Sequence, residues 1–511
     1  MKKILIILTA IFVTSCSESF LDITPSSSTA VDNFYQTETQ FTEAVNGAYA
    51  SLRTIYSLGY VYEEMRSDNT HFTRNNNERM TSNTDREDVA NFLVSSTNSI
   101  ISDSWASCYS IIAGANTILD HIDKANLSDD FKNDIIGKAK FVRAFAYFEL
   151  VQNFGRVPLQ LHAVTNAADA FPAQAETNQV YDTIISDVKD AIDKLPTVSF
   201  PQDGSATKGA AKMLYAYVLL TKPEKDYVEA QKQLEDITKM KYDLLENYAD
   251  VFNTSMKNSV EHIFSIQYMQ GNYGMQSDWL YSFMPRSWDG NVLTGTTDAN
   301  TSSTGGWNVP TDAMIASYEP GDKRLPVSVN YAVGTIDPED GNMEIDGVLQ
   351  PGDPSISEYP NALPFVNKYH HTHNTAFNTD DNWPVYRYAD ALLLLAECLV
   401  DQQKNDEALP YVNQVRARAG LDPLTSVDAD AVANERKHEL AFENHRWYDL
   451  VRTGKALEVM TNYAAYIKSV DTGLTSRTYN ITAQKLLFPI PYRELQINKK
   501  LTQNKGAAAD E

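Results

Sequence analysis

Carboxylates, two histidines and three arginines crowd the segment from Glu435 to Arg452, a mixture that could move protons or hold a metal. The spacing argues against both. His438-Glu439 would open a zinc-protease helix motif, but Phe442 stands where the second imidazole is needed. Glu439, Glu443, Arg446 and Asp449 follow at intervals of three or four, which suits ion pairs along a helix. Structural polar interactions are therefore expected here. Arg387 and Asp390 read the same way, as groups that fix the start of a helix. His371 and His373 form an i,i+2 imidazole pair on an extended segment, with Asp380 and Asp381 near enough in sequence to add oxygen ligands. They are the weak metal candidates; the plainer reading is a polar loop. The chain has no P-loop, no GxGxxG fingerprint and no GxSxG elbow, so no cofactor is expected. A glycosidase pair could be drawn from any of the 67 acids, and spacing alone cannot test it.

Binding chemistry is better represented than catalysis. Three of the six tryptophans, Trp279, Trp288 and Trp307, fall between Tyr268 and Trp307, together with Tyr273, Tyr281 and Phe283. Asn272, Gln276, Asp278, Arg286, Asp289, Asn291 and Asn308 are interleaved with them. A sugar ring has an apolar C–H face and a rim of hydroxyls. An aromatic platform covers the face, and amide, carboxylate or guanidinium groups hydrogen-bond the rim. The competing reading packs these rings inside an irregular subdomain. A second candidate lies in Arg66–Asp88, a polar segment carrying Asp68, Asn69, His71, Arg74, Asn75, Asn76, Asn77 and Arg79; its plain alternative is a solvated loop.

These groups need elements to position them. Helical patterns cover Phe41–Leu52, Ser104–Ile122, Ile135–Val151 and Val180–Leu195. Ile135–Val151 is apolar on almost every side, which predicts a buried helix ended by Gly155 and Pro158. Leu214, Val218, Ala230, Leu234 and Ile237 recur as Leu392, Ala396, Ala408, Val412 and Val415 at identical offsets. Each set is a helix, a short turn and a second helix, similar to tetratricopeptide units, which cannot bury their faces alone and must stack. Between the sets, residues 271–383 are rich in Gly, Asn, Asp, Thr and Pro and predict an irregular, loop-rich region.

The N-terminus is an export signal. Met1-Lys2-Lys3 is basic, and Ile4–Val13 is an apolar run too short to span a bilayer. Val13-Thr14-Ser15-Cys16 resembles a lipobox, in which the Cys is lipidated and becomes the new N-terminus. Residues 1–15 then form a signal peptide, 16–33 a tether and 34–511 the body, divided at 270 and 383. Lipidation leaves Cys108 and Cys398, both in apolar helical stretches and expected as buried free thiols. The formal charge of −24 and pI near 4.8 exclude non-specific nucleic-acid binding, since phosphates need a basic face. The same charge would repel an anionic membrane, so attachment falls to the acyl chains.

Six blocks in order resemble one family along nearly the whole mature chain. They are Cys16-Ser-Glu-Ser-Phe20-Leu21-Asp22-Ile-Thr-Pro25; Lys140-Phe-Val-Arg143 through Asn153-Phe-Gly155-Arg-Val-Pro158; Trp383-Pro-Val-Tyr-Arg387-Tyr388-Ala389-Asp390; Val412 through Gly420-Leu421; Glu435 through Arg452; and Leu487-Phe488-Pro489 through Asn504. The chain resembles the SusD/RagB family of Bacteroidetes outer-membrane lipoproteins. That resemblance implies a mainly α fold of stacked tetratricopeptide-like helix pairs with an irregular ligand-facing half, and no catalysis. It implies a surface-exposed, lipid-anchored protein that captures glycan for a SusC-like TonB-dependent transporter. Oligopeptide capture by the same scaffold is the alternative, and a surface glycoside hydrolase the remote one.

Overall fold

A computed structural model describes residues 34–74, 81–167, 169–288, 290–296 and 305–508, with only the backbone of residues 81 and 82. The leader, Cys16 and the tether lie outside the described residues, as do Asn75, Asn76, Asn77, Arg79 and Asp289.

Helices dominate, and local chemistry sets their ends. Helix α1 (Glu38–Glu63) opens with a capping box in which Thr37 and Gln40 satisfy each other's backbone N–H. After α2 (Thr81–Ala90) come α3 (Ser99–Ile122), capped by Asn98, and α4 (Asp129–Phe154), capped by Ser128 with Asp129 and Asp130 in its first turn. Gly155 ends α4 at φ 70°, where a Cβ would meet Leu487 at 2.9 Å. Helix α4 is buried on nearly every side, as its composition predicts. Next are α5 (Thr177–Lys194), α6 (Lys208–Thr221) and α7 (Tyr227–Thr238). Beyond the loop-rich region lie α12 (Tyr388–Asp401), α13 (Asn405–Ala419), α14 (Ala429–Glu439), α15 (Arg446–Arg452) and α16 (Ala456–Val470). The order of packing is α1, α3, α4, α5, α6, α7, α12, so the two repeated pairs meet where α7 touches α12. All ten residues of the sequence repeat are buried. Cys108 and Cys398 are buried free thiols on α3 and α12.

Residues 271–383 are less irregular than their composition predicts. Strand β4 (Val329–Ile336) lies between β5 (Met343–Leu349) and β6 (Asn361–Val366) in an antiparallel sheet. A register shift at Val333/Gly334 brings the backbones so close that a Cβ on Gly334 would sit 2.0 Å from the Glu344 carbonyl. The bulge leaves no clean alternation to read along β4, where Ala332, Val333 and Gly334 are buried in succession. Four short helices complete the region: α8 (Trp279–Phe283), α9 (Asn291–Thr294), α10 (Asp312–Ala316) and α11 (Leu325–Ser328). Leu280, Tyr281, Met284, Leu293, Met343, Ile345 and Phe365 form a small core of their own beneath this layer, separate from the helical core. Two further strand pairs tie the layer down: β1 (Thr70–His71) with β3 (Val309–Pro310), and β2 (His262–Ile266) with β7 (Trp383–Arg387).

The Glu435–Arg452 segment corrects one expectation. It is not a continuous helix lined with ion pairs. Helix α14 ends at Glu439, Phe442 and Asn444 take left-handed φ of 65° and 67°, and α15 starts afresh. Most partners therefore come from other elements. Arg387 donates to Glu261 (2.7 Å), Glu439 (2.9 Å) and Glu443 (2.7 Å); Lys368 reaches Glu443 at 2.7 Å, and Arg324 reaches Glu435 at 2.6 Å. Asp390 accepts from Tyr217 and Arg436. Only Asp449–Arg452, at 2.7 Å, is an i,i+3 pair within one helix. Burial opposes ionisation of Glu439, yet Arg418, Arg387 and Arg324 hold its carboxyl far below the usual range.

Candidate functional site

The three tryptophans of the aromatic stretch part company. Trp279 is 2% exposed on α8, edge-on to Tyr268 at 4.6 Å and to Trp383 at 4.9 Å. Trp307 is equally buried, with Phe72 at 5.9 Å and the Arg86 guanidinium 5.2 Å from its ring. Tyr281 stacks on Phe377 at 4.0 Å, and its hydroxyl meets His373 Nε2 at 2.7 Å. These three residues are core, not platform. Each is apolar enough to be drawn inside wherever partners exist, and the partners come from distant parts of the chain.

Two rings remain in solvent. Tyr273 is 71% exposed and Trp288 64% exposed. Tyr273 tips the loop 269–275, closed by Met269 N–H to the Met275 carbonyl at 2.7 Å. The loop is pinned from below. Asn378 Oδ1 accepts from Gly271 N–H at 2.7 Å, and Asp380 accepts from Gln270 N–H at 2.9 Å while paired with Lys257 at 2.8 Å. Gly271, at φ 123°, permits the turn. Trp288 follows α8 and donates its indole N–H to Asp340 at the β4–β5 turn, which fixes the ring and lowers the Asp340 pKa. Arg286 is half-buried, and its carbonyl accepts from Met343 N–H at 2.8 Å. Asn291 is exposed at the start of α9. Met269 and Val292 add exposed apolar surface to the same layer. Met269 and Val292 were not singled out by sequence, whereas Tyr273 and Trp288 were.

The second candidate segment is largely structural. Asp68 is clamped by Arg446 at 2.7 Å and Lys437 at 3.0 Å; burial resists its charge, but these two hold its carboxyl well below normal. Asn69 is fully buried and donates to Glu64 at 2.8 Å. Both are corrected from ligand contacts to internal supports. Arg74 is half-buried between Glu87 (3.7 Å) and Asp471 (3.5 Å). The imidazole pair does not converge on a common point. His371 Nδ1 lies 2.5 Å from Asp381, while His373 Nδ1 lies 2.9 Å from the His371 carbonyl and its Nε2 faces Tyr281. Among the described residues, no three His, Cys, Asp or Glu side chains gather to hold a metal. No described helix is long and apolar enough to cross a membrane.

Helix pairs stacked side by side, with a separately cored loop layer displaying two rings, define a mainly α scaffold that presents a face. Known proteins share this fold. The family model described as "SusD family" matches residues 260–506, and "Starch-binding associating with outer membrane" matches residues 19–220. SusD-like protein P2 of Formosa agariphila is 28% identical over 99% of both chains. A structure titled laminarin binding SusD-like protein superposes with a TM-score of 0.74 at 24% identity, covering 92% of this chain and all of its own. Surface glycan-binding protein A from Bacteroides thetaiotaomicron, in complex with laminarihexaose, gives 0.72 at 21% identity, covering 91% of this chain and 99% of its own. The chain is a SusD-like family protein.

Proposed function

We propose that this protein is a lipid-anchored, surface-exposed glycan-binding protein of the outer membrane, which captures oligo- or polysaccharide and passes it to a SusC-like TonB-dependent transporter. The single observation that carries capture is the pair of solvent-facing rings: Trp288, held by its indole hydrogen bond to Asp340, and Tyr273, carried on a loop that Asn378 pins at Gly271. A ring held in place loses little conformational entropy on binding, so the stacking energy is kept. Arg286 and Asn291 flank Trp288 in sequence and supply polar groups for the hydroxyl rim. The structural neighbours named for laminarin and laminarihexaose support sugar over oligopeptide as the ligand. The family description that places relatives at the outer membrane supports the anchoring reading of Cys16. Nothing in the site asks for catalysis, because capture and release need only reversible contacts.

Calorimetric titration against a glycan panel that includes laminarihexaose tests the face. Tyr273→Ala and Trp288→Ala should each weaken binding about tenfold, the equivalent of about 1.4 kcal/mol. If both variants keep wild-type affinity for a glycan that the native protein binds, the face is misassigned.

A further inference from the structure

The outer face of α3 carries apolar surface that no described segment covers. Ala106 and Ala113 are exposed on it, with the Trp105 and Tyr109 rings 5.1 Å apart beside them. Residues 158–164 and 170–172 run alongside and turn this face into a groove of about 460 Å³. Val164 and Phe171 stand in its wall 51% and 40% exposed. The wall is held in place. Tyr109 donates to the Pro158 carbonyl at 2.7 Å, Asn116 donates to the Gln160 carbonyl at 2.8 Å, and Asp120 accepts from Ala163 N–H at 2.8 Å. Among the described residues no Lys or Arg lines the groove. Gln160 and Asn498 donate to the His162 and Pro172 carbonyls, so their amide N–H groups serve the wall itself. Little remains for an anion or for the hydroxyl rim of a sugar. Aliphatic or aromatic side chains are what such a groove can take from water.

The chain itself brings such side chains within reach. The described residues begin at Phe34, and its neighbour Tyr35 stacks on His121 at 4.8 Å. His121 lies one helical turn beyond Thr117, a groove residue, on the same face of α3. Upstream, Phe20, Leu21 and Ile23 are three apolar residues within four positions, followed by Pro25-Ser-Ser-Ser. From Ile23 to Phe34 the extended chain can span about 36 Å. From His121 to Ala106 is about 22 Å along the helix. We propose that the groove along α3 is the docking site of Phe20–Ile23 of this same chain. Docking covers apolar surface on both sides. It leaves about 13 Å of extended chain between Cys16 and Phe20, against about 60 Å for the whole tether. On the lipid-anchor reading of Cys16, the docked tether turns the α3 face towards the membrane and holds the body close to it. Docking itself does not depend on that reading, which fractionation of Cys16→Ala tests separately.

Disulfide cross-linking in the full chain tests this. Asp22→Cys keeps all three apolar side chains and puts a thiol among them. Combined with Ala113→Cys in the groove, it should form an intramolecular disulfide on mild oxidation. The bond should form about tenfold faster than in the combination of Asp22→Cys with Lys124→Cys, which is exposed nearer the entry of the chain at His121 but outside the groove. Mass spectrometry of the linked peptides separates these bonds from any made by Cys108 or Cys398. Adding Phe20→Ser, Leu21→Ser and Ile23→Ser together should abolish the preference. Equal rates at the two positions would overturn the proposal, because an undocked tether meets the nearer thiol at least as often. So would a preference that survives the three serine substitutions, or a bond from Ala113→Cys to another chain, which would give the groove to a partner.

Discussion

Trp279 and Trp288 are the same residue type in one short stretch, and the fold gives them opposite work. Trp279 fills the core against Tyr268, Tyr369 and Trp383, so Trp279→Ala should cost about 3–5 kcal/mol of stability. Trp288 stands in solvent, and Trp288→Ala should shift stability by no more than about 0.5 kcal/mol while lowering glycan affinity. Denaturant unfolding of the two variants, read beside calorimetry, separates packing from binding. The clustering of aromatics was legible in the sequence. Which ring faces outward was not, because Trp279 packs on partners as distant in the chain as Tyr369 and Trp383 and no local pattern names them. Asp68 carries the same lesson for charge: it looks like a ligand contact until Arg446 and Lys437 are seen to close on it.

At the scale of elements, periodicity was the reliable signal. The buried faces of α4, α6, α7, α12 and α13 follow from residues at helical spacing, and the repeated positions are all interior. The β4–β5–β6 sheet escaped because the bulge at Val333/Gly334 breaks the two-residue alternation of β4, where Ala332, Val333 and Gly334 are buried in succession. The break between α14 and α15 escaped because left-handed Phe442 and Asn444 interrupt a run whose charges fit helical spacing. One element invites a test. The loop bearing Tyr273 hangs on Asn378, which bonds both the N–H and the carbonyl of Gly271. Asn378→Ala should leave the global melting point within a few degrees but weaken glycan binding several-fold, by freeing the loop. Unchanged affinity in that variant would show that the loop's position does not matter to the ligand.

Across the whole molecule, the buried ion pairs set the response to pH. Glu439 and Asp449 have folded pKa values depressed against their burial by neighbouring arginines. Their contribution is present above the unfolded carboxylate range, near pH 4, and is lost as pH falls below it. Glu64 runs the other way. Burial outweighs its bonds from Asn69, Phe442 and Asn444 and pushes it up to about 7. Its contribution is full below about pH 4.5 and is lost as pH rises through about 7. Melting temperature against pH should therefore fall steeply below pH 4, and Glu64→Gln should lessen a shallower decline between pH 5 and 8. A pH-independent melting point between 2 and 4 would contradict the role given to the ion pairs. Attachment is also tested at this scale: Cys16→Ala should move the protein from the membrane fraction to the soluble one, and retention in the membrane would overturn the lipid-anchor proposal.

The sequence by itself determined a mainly helical body with a repeated run of buried helix positions, and the SusD-like family, because helical faces and motif blocks are local in the chain. Tertiary structure alone decided that Tyr273 and Trp288 are the rings of the 268–307 stretch left in solvent, and that the charges of Glu435–Arg452 are matched across elements. Burial and charge pairing depend on which distant segments arrive at a residue, and only the folded chain brings them there.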